Sequence, residues 1–234
     1  MLFWTGESLR GPGTRMQHKT LNQTHFWLVR HGETEWNALR RLQGWRDTPL
    51  SETGQAQAEQ LRAHLAGGFP HPPQVIYSSD LRRAYDTAVA AASHYGLPIH
   101  RDPALRERNY GIYEGQDWAL LNGADATRPA VNFRQLHQPI ENGESLAQFA
   151  ERIQQAFERI ARQHSGNNVM VFAHGGVIDI AWRLASQVPF DAPRPSPIHN
   201  TSINHFCIHG PGHWEAINWG QTGHLEQEAR DDVI

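Results

Sequence analysis

The stretch HFWLVRHGETEWN, residues 25–37, decides how this chain folds and where its chemistry lies. A short apolar run with aromatic and β-branched residues predicts a buried strand that ends in Arg30, His31 and Gly32. In open α/β sheets, ligands bind beyond the carboxyl ends of the strands. A histidine beside a permanent cation, before a glycine that lets a ligand approach, suits attack on an anion such as phosphate. Taken alone, the tripeptide is also compatible with chance.

The composition is that of a globular protein with one sizeable core. The 234 residues are too few for two comfortable domains of usual size. A net charge of −3 gives no global basic field, which argues against binding to nucleic acid or to anionic membranes. The single cysteine, Cys207, excludes an intrachain disulfide and a multi-cysteine metal site, and it suits a reducing, cytoplasmic location. No apolar run reaches the roughly 20 residues that span a bilayer.

Residues 1–24 differ from the rest of the chain. They contain scattered glycine, proline and polar residues without periodicity, which predicts an irregular arm and not a signal peptide. Met16 is therefore an alternative to Met1 as the start of translation. We expect residues 25–234 to form a single catalytic domain.

Strands and helices alternate along that domain. Apolar runs predict strands near 25–30, 75–77, 97–100, 169–173, 202–208 and 214–219. Helix-forming residues and amphipathic periodicity predict helices over 51–65, 81–95, from 144 onward and over 175–185. This order predicts a three-layer α/β/α sandwich with a mostly parallel central sheet and one late antiparallel hairpin. Residues 116–142 are irregular and predict a small cap insertion at one end of the sheet. Trp214 and Trp219 in the hairpin leave a homodimer open, although core packing is the favoured interpretation.

A second buried strand ends in the same way as the first. Residues 169–173 are followed by His174, Gly175 and Gly176. Two parallel strands that each end in His-Gly would bring both imidazoles into one crevice. A lone histidine is more often structural or solvated, and the paired placement at strand ends is what lifts His31 and His174 above that expectation.

Two charged segments follow other predicted elements. Arg83 lies in the first turn of a helix, where a cation opposes the helix dipole unless an anion lies between them. Its neighbour Arg82 is expected to be solvated. Glu107 stands between Arg106 and Arg108, either as a carboxylic acid near a phosphate pocket or within a surface ion-pair cluster.

Six blocks in order, over about residues 25–225, resemble the histidine phosphatase superfamily, also called the phosphoglycerate mutase-like family. The blocks are RHGETEWN at 30–37, QG at 43–44 with DTPL at 47–50, SSDLRRAYDTA at 78–88, LRE at 105–107 with EG at 114–115, GES at 143–145 and HGG at 174–176. The resemblance implies a nucleophile that becomes phosphorylated at His31, a proton donor at Glu107, catalytic and phosphate-pocket roles for Arg30, Arg83 and His174, and phosphate or substrate binding by Asn37, Gln43, Gly44, Gly175 and Tyr110.

The implied chemistry needs no metal and no other cofactor, because the arginines supply the positive charge. A neutral imidazole attacks phosphorus, so its far nitrogen needs a fixed partner. Glu107 must carry a proton when the leaving oxygen departs, and we therefore expect it to titrate above an ordinary glutamate. His174 is expected to act as a cation beside bound phosphate.

Three functions remain open at this point. A phosphatase would release inorganic phosphate from a small phosphorylated metabolite. A mutase would pass the phosphoryl group between hydroxyls and would need 2,3-bisphosphoglycerate; Arg108 and Tyr110 keep this alternative alive. The predicted cap holds only Arg128 and Arg134 as arginines, which favours the phosphatase. A catalytically silent binder of phosphorylated ligands ranks last, because the resemblance retains every catalytic residue.

Overall fold

The computed structural model describes residues 23–121, 131–194 and 196–226. The predictions made for residues 1–22, with the alternative start at Met16, and for residues 122–130 of the cap lie outside these ranges. The strands are β1 (Thr24–Arg30), β2 (Val75–Ser78), β3 (Ile99–Arg101), β4 (Asn168–Ala173), β5 (Ile203–Gly210) and β6 (His213–Gln221). The helices are α1 (Glu35–Ala38), α2 (Glu52–Ala66), α3 (Arg82–Ala92), α4 (Leu146–Gln163) and α5 (Gly175–Ser186).

The six strands form one mixed sheet in the order β3-β2-β4-β1-β5-β6. The first four strands of that order pair in parallel, whereas β5 runs antiparallel to β1 and forms a hairpin with β6. The predicted α/β class with a mostly parallel sheet and a late hairpin is therefore confirmed. Arg30 of β1 pairs with Ala173 of β4, so His31 and His174 leave the sheet side by side at the same edge.

Helices cover both faces of the sheet, because successive side chains of a strand point to opposite sides. On one face, Phe26 and Phe206 pack against Phe157 of α4, with ring centroids 5.2 and 5.3 Å from that ring. On the other face, Trp27 and Phe172 belong to a second core cluster that includes residues of α2 and α3. The result is the predicted sandwich of three layers.

The helix termini explain small departures from the predicted boundaries. Ser145 is the N-cap of α4 and forms a capping box with Gln148, so this helix starts at Leu146 and not at Glu144. Helix α3 ends at Ala92, where one turn of 3₁₀ helix follows and the chain leaves through Gly96 with φ = 66°. The predicted helix to residue 95 was therefore one turn too long.

Apolar side chains fix the described parts of the predicted cap to the domain. Leu121, Phe133 and Ile140 form a small buried cluster with Leu42 and Tyr110. The assignment of residues 116–142 as a cap insertion stays a prediction. Among residues 23–121, 131–194 and 196–226, no helix combines the length and apolar character needed to cross a membrane.

The two tryptophans of the β5–β6 hairpin meet the same core. Trp214 is 7% exposed and stacks on Phe206 at 5.3 Å, and Trp219 packs partly buried on the same cluster. Their contacts within the chain account for both side chains, as the core interpretation expects. The homodimer stays a prediction that these contacts do not require.

Candidate active site

His31 is held where β1 ends, with only 2% of its surface exposed. Its backbone N–H donates to the carbonyl of Ala173, and its own carbonyl accepts from the Asn200 side chain at 3.0 Å. The ring nitrogen Nδ1 lies 2.7 Å from the Gly32 carbonyl and must donate to it, because a carbonyl only accepts. This contact leaves Nε2 with its lone pair for attack. Burial, followed by the charges of Arg83 and Arg30, holds the pKa of His31 well below 6.5, so the imidazole is neutral at physiological pH.

His174 faces His31 across the pocket, with the two ring centroids 5.3 Å apart. Its Nε2 lies 2.8 Å from the Ser79 hydroxyl, and its Nδ1 is buried with no hydrogen-bond partner among the described residues. Burial lowers the pKa of His174 well below 6.5, and the nearby cations add to this effect, with Arg83 the largest. In the pocket as it stands His174 is therefore neutral. The expected cationic form requires a bound anion to reverse this balance.

Two arginines supply the positive charge of the pocket. Arg30 and Arg83 are at most 1% exposed. Arg30 donates to the carbonyl of Ile198, and Arg83 donates to the carbonyls of Gly44 and Arg46 at 2.8 and 2.9 Å. Burying cations beside neutral histidines is unfavourable unless an anion joins them. The cluster is therefore built for an anionic group such as phosphate.

The loop that holds Arg83 depends on Gly44. This residue has φ = 53°, and a Cβ added to it would lie 2.1 Å from Oε1 of Glu114. The same oxygen accepts from the backbone N–H of Trp45 at 2.8 Å. Only glycine satisfies both the left-handed backbone and the close approach, so Gly44 shapes the carbonyl cradle of Arg83.

Asn37 and Gln43 meet at Thr34. Asn37 Oδ1 accepts from the Thr34 backbone N–H at 3.0 Å, completing the capping box of α1. Gln43 Oε1 lies 3.0 Å from the Thr34 hydroxyl and 2.6 Å from that of Thr48. These contacts fix the turn after His31. The predicted contacts of Asn37 and Gln43 with phosphate stay predictions.

Glu107 is 7% exposed, so the alternative of a surface ion-pair cluster was wrong. Its Oε2 accepts from the backbone N–H of Gly176 at 3.0 Å, and its Oε1 accepts from that of Arg108 at 2.8 Å. Gly176 is two residues after His174, so these bonds hold the carboxyl group beside the phosphate pocket. A Cβ on Gly176 would lie 2.2 Å from Oε1 of Glu107, which explains why glycine stands there. The position fits the predicted proton donor.

A cavity opens beside Glu107. Aromatic rings and cations share its walls, namely Tyr110, Phe133, Phe149, Phe190, Arg108, Arg134 and Arg194, and Gly175, Gly176 and Asp179 complete it. Arg108 donates to the carbonyls of Glu144 and Phe133, while its Nη2 is buried without a partner among the described residues. Gly175 and Tyr110 line this cavity, and their predicted contacts with phosphate or substrate stay predictions.

A match to the family described as "Histidine phosphatase superfamily (branch 1)" covers residues 26–222. The chain belongs to this superfamily.

Individual members of the superfamily differ in the activity that their names state. The chain is 33% identical over 220 residues to phosphoglycerate mutase-like protein 4 of Arabidopsis thaliana, covering 92% of each chain. It is 35% identical over 207 residues to the metal-independent phosphoserine phosphatase of that plant, covering 86% of this chain and 83% of the relative. The crystal structure of Entamoeba histolytica phosphoserine phosphatase with 3-phosphoglyceric acid superposes with a TM-score of 0.73 and 27% identity, covering 86% of this chain and 99% of the other.

Several residues that build this histidine phosphatase site were not predicted from the sequence to be functional. Arg152 of α4 binds both carboxylate oxygens of Glu144 at 2.7 Å and donates to the backbone carbonyl of Glu107 at 3.1 Å. The indole N–H of Trp45 donates to the same carbonyl at 2.7 Å. Ser79 contacts His174, as described above. Only Ser79 had a sequence signal, its place in the block at 78–88 that resembles the superfamily.

The remaining arginines of the sequence motifs serve the fold. Arg106 forms a two-fold ion pair with Asp80 at 2.6 and 2.7 Å. Arg82 is 60% exposed at its side chain and pairs with Asp86 at 3.1 Å, as its expected solvated state implies. Of the four arginines at positions 82, 83, 106 and 108, only Arg83 reaches the two histidines.

Proposed function

We propose that the chain is a phosphomonoester hydrolase that works through a covalent phosphohistidine at His31. The observation that carries this proposal is the ring of His31, which is neutral, fixed through Nδ1 and surrounded by Arg30, Arg83 and His174. A neutral, oriented imidazole in a cationic pocket is what in-line attack on a phosphate monoester requires.

In the first step, Nε2 of His31 forms a bond to phosphorus while the bond to the leaving oxygen breaks. That oxygen takes the proton of the Glu107 carboxyl group and departs as an alcohol. Charge on the three equatorial oxygens is stabilised by the buried donors of Arg30 and Arg83, which are already in place, and by His174 once the bound anion favours its protonated form. Each such donor typically contributes about 3 kcal/mol to transition-state stabilisation.

In the second step, water replaces the alcohol. The Glu107 carboxylate, now ionised, accepts a proton from the water as its oxygen bonds to phosphorus. The phosphorus–nitrogen bond breaks, its electron pair returns to Nε2, and inorganic phosphate leaves. Glu107 thus acts as a general acid in the first step and as a general base in the second.

The cavity beside Glu107 narrows the substrate to a small metabolite that carries an acidic group. Burial lowers the pKa of Arg108, although the guanidinium group remains charged. Asp179 lies in the same lining but already pairs with Arg183 at 2.9 Å, so the buried Nη2 of Arg108 and the neighbouring Arg134 and Arg194 leave a wall that a carboxylate would complement. The sequence alone favoured a small or partly apolar substrate because the cap holds few cations. The structure adds Arg108 and Arg194 from outside that segment. The phosphoserine phosphatase named among the relatives supports such a substrate.

A mutase is the second candidate, because Arg108 and Tyr110 line the same cavity and one relative is named as mutase-like. A mutase would keep the first alcohol bound and return the phosphoryl group to another hydroxyl. A silent binder is not favoured, since His31, Arg83 and Glu107 are all in place.

The test measures inorganic phosphate from phosphoserine, 3-phosphoglycerate and p-nitrophenyl phosphate in the presence of a chelator. We expect phosphate release and an acid-labile phosphate on the wild type. Both should be lost in His31→Ala and kept in His94→Ala, whose histidine is exposed and far from the pocket. Rapid formation of 2-phosphoglycerate from 3-phosphoglycerate and 2,3-bisphosphoglycerate, without free phosphate, would reject the hydrolase in favour of the mutase. Turnover in His31→Ala within tenfold of wild type would reject His31 as the nucleophile.

A further inference from the structure

Three potential metal ligands meet on the β5–β6 hairpin. Cys207 of β5 pairs directly with Glu215 of β6, and His209 is two residues further along β5. The pairing of β5 with β6 shifts register between Ile208 and Gly210, and the side chain of His209 still converges with those of Cys207 and Glu215. Nε2 of His209 lies 2.8 Å from Oε2 of Glu215, and Sγ of Cys207 lies 3.2 Å from the first atom and 3.7 Å from the second.

These separations are close to those of a metal site. Ligands at the usual zinc bond lengths in a tetrahedron stand about 3.3–3.6 Å apart. The imidazole and carboxylate need to separate by only about 0.5 Å and the imidazole and sulfur by about 0.4 Å, while the sulfur-to-carboxylate distance already matches. Among the described residues this is the one group of three or more such side chains whose ligand atoms lie within 4.8 Å of one another.

We propose that Cys207, His209 and Glu215 bind one divalent transition-metal ion of the zinc type. Thiolate, imidazole and carboxylate are the ligands that zinc takes in proteins, whereas calcium and magnesium take oxygen ligands. Three protein ligands leave the fourth position for water. The exposed carboxylate of Glu215, with 62% of its side chain accessible, gives the ion a route to the buried sulfur.

Binding changes the protonation of the cluster in a balanced way. Burial, and then Glu215, raise the pKa of the Cys207 thiol to about 11, so the sulfur carries its proton at neutral pH. The metal–sulfur bond forms as the S–H bond breaks, and the proton leaves to solvent. The ion then neutralises both the thiolate and Glu215. His209 contributes the lone pair of Nε2.

The proposed site is separate from the phosphate pocket. Cys207 pairs with His25 of β1, six residues before His31, which corresponds to about 20 Å along a strand. The site joins β5 to β6, the strand at the edge of the sheet. A bound ion would therefore hold the edge hairpin and take no part in phosphoryl transfer.

The experiment uses the full chain with any affinity tag removed, because tag histidines bind the same ions. Cobalt(II) is titrated into reduced protein, and the near-ultraviolet thiolate-to-cobalt charge-transfer band is followed, with zinc as the competitor. We expect one cobalt per chain, the appearance of the thiolate band and its loss when zinc is added. Cys207→Ala should abolish the band. His209→Ala and Glu215→Gln, which alter more exposed side chains, should weaken zinc binding at least tenfold.

Two controls make the result decisive. His94→Ala removes an exposed histidine elsewhere and should bind zinc as the wild type does. Circular dichroism of the metal-free variants checks that each is folded. The proposal is overturned if no thiolate band forms or if His209→Ala binds zinc as tightly as the wild type. It is equally overturned if binding is lost in His31→Ala but kept in Cys207→Ala, since the metal would then occupy the phosphate pocket.

Discussion

Gly176→Ala should displace the Glu107 carboxyl group without changing its chemistry. The added methyl group would lie 2.2 Å from Oε1 of Glu107, whereas ordinary contact begins at 3.4 Å, so the carboxylate must move by about 1.2 Å. The carboxylate is the far end of a flexible side chain and moves more cheaply than a backbone segment, and Cε1 of Phe149, 3.1 Å from the added methyl group, must give way by a few tenths of an ångström. A misplacement of about 1 Å costs roughly 100-fold in rate for a positioned catalytic group.

The fold should tolerate this change. Alanine is favoured over glycine in a helix by roughly 0.5–1 kcal/mol. The weakened bond from the Gly176 N–H to Glu107 costs about 1 kcal/mol, so the two effects nearly cancel. We expect the melting temperature to stay within a few degrees of the wild-type value.

The assay compares kcat/KM for phosphoserine with that for p-nitrophenyl phosphate. The value of kcat/KM depends only on the steps up to departure of the leaving group, so later hydrolysis of the phosphohistidine does not affect it. The alcohol of phosphoserine needs a proton, and its kcat/KM should fall about 100-fold. The p-nitrophenolate ion leaves with little protonation, and its kcat/KM should fall less than tenfold.

A double-mutant cycle tests whether Gly176 acts through Glu107. Glu107→Gln should show the same dependence on the leaving group, and adding Gly176→Ala to it should cost little more. Equal losses on both substrates would refute proton donation by Glu107. Additive losses in the double variant would show that the methyl group disturbs something other than the carboxylate.

Three further outcomes follow from the site and its histidines. Ser79→Ala removes the hydroxyl that contacts Nε2 of His174 and should lower kcat about tenfold with a smaller change in KM. Ser79→Thr should restore kcat. A purely structural role of Ser79 would lower the melting temperature instead. Phosphate binding at pH 7 should take up protons in calorimetry in buffers of different ionisation enthalpy, because the anion raises the pKa of His174, and His174→Gln should reduce that uptake. Burial, with help from neighbouring histidines, lowers the pKa of both His205 and His224 to about 4. Their contribution to the free energy of unfolding is therefore complete above pH 6.5 and is lost as the pH falls toward 4. Thermal melts that show no loss of stability between pH 7 and 4.5 would contradict this.

The pairing of His31 with His174 was predictable from the sequence for a physical reason. Each residue follows a short buried strand, and parallel strands end at the same edge of the sheet. The structure supplies the missing fact that β1 and β4 are neighbours, with Arg30 opposite Ala173. Arg83 was predictable in the same way, since a cation in the first turn of a helix favours a nearby anion.

The supports of the site were not predictable, because they join residues far apart in the chain. Arg152 reaches the Glu107 carbonyl across 45 positions, and Glu114 reaches Trp45 across 69. No periodicity or spacing marks such pairs. Arg194, which lines the cavity beside Glu107, was missed for the same reason, since it comes from a segment outside the predicted cap.

The electrostatic state of the pocket links its structure to its proposed chemistry. Burial, with the charges of Arg83 and Arg30 adding to it, keeps both histidines neutral, and this neutrality gives His31 the lone pair it needs for attack. A phosphate dianion then offsets the two guanidinium charges and favours the protonated form of His174, which becomes a donor to the transition state. The two buried cations thus destabilise the free protein, and the bound phosphate removes this destabilisation. The same arrangement therefore keeps His31 ready for attack before the substrate arrives and makes His174 a donor after the substrate has bound.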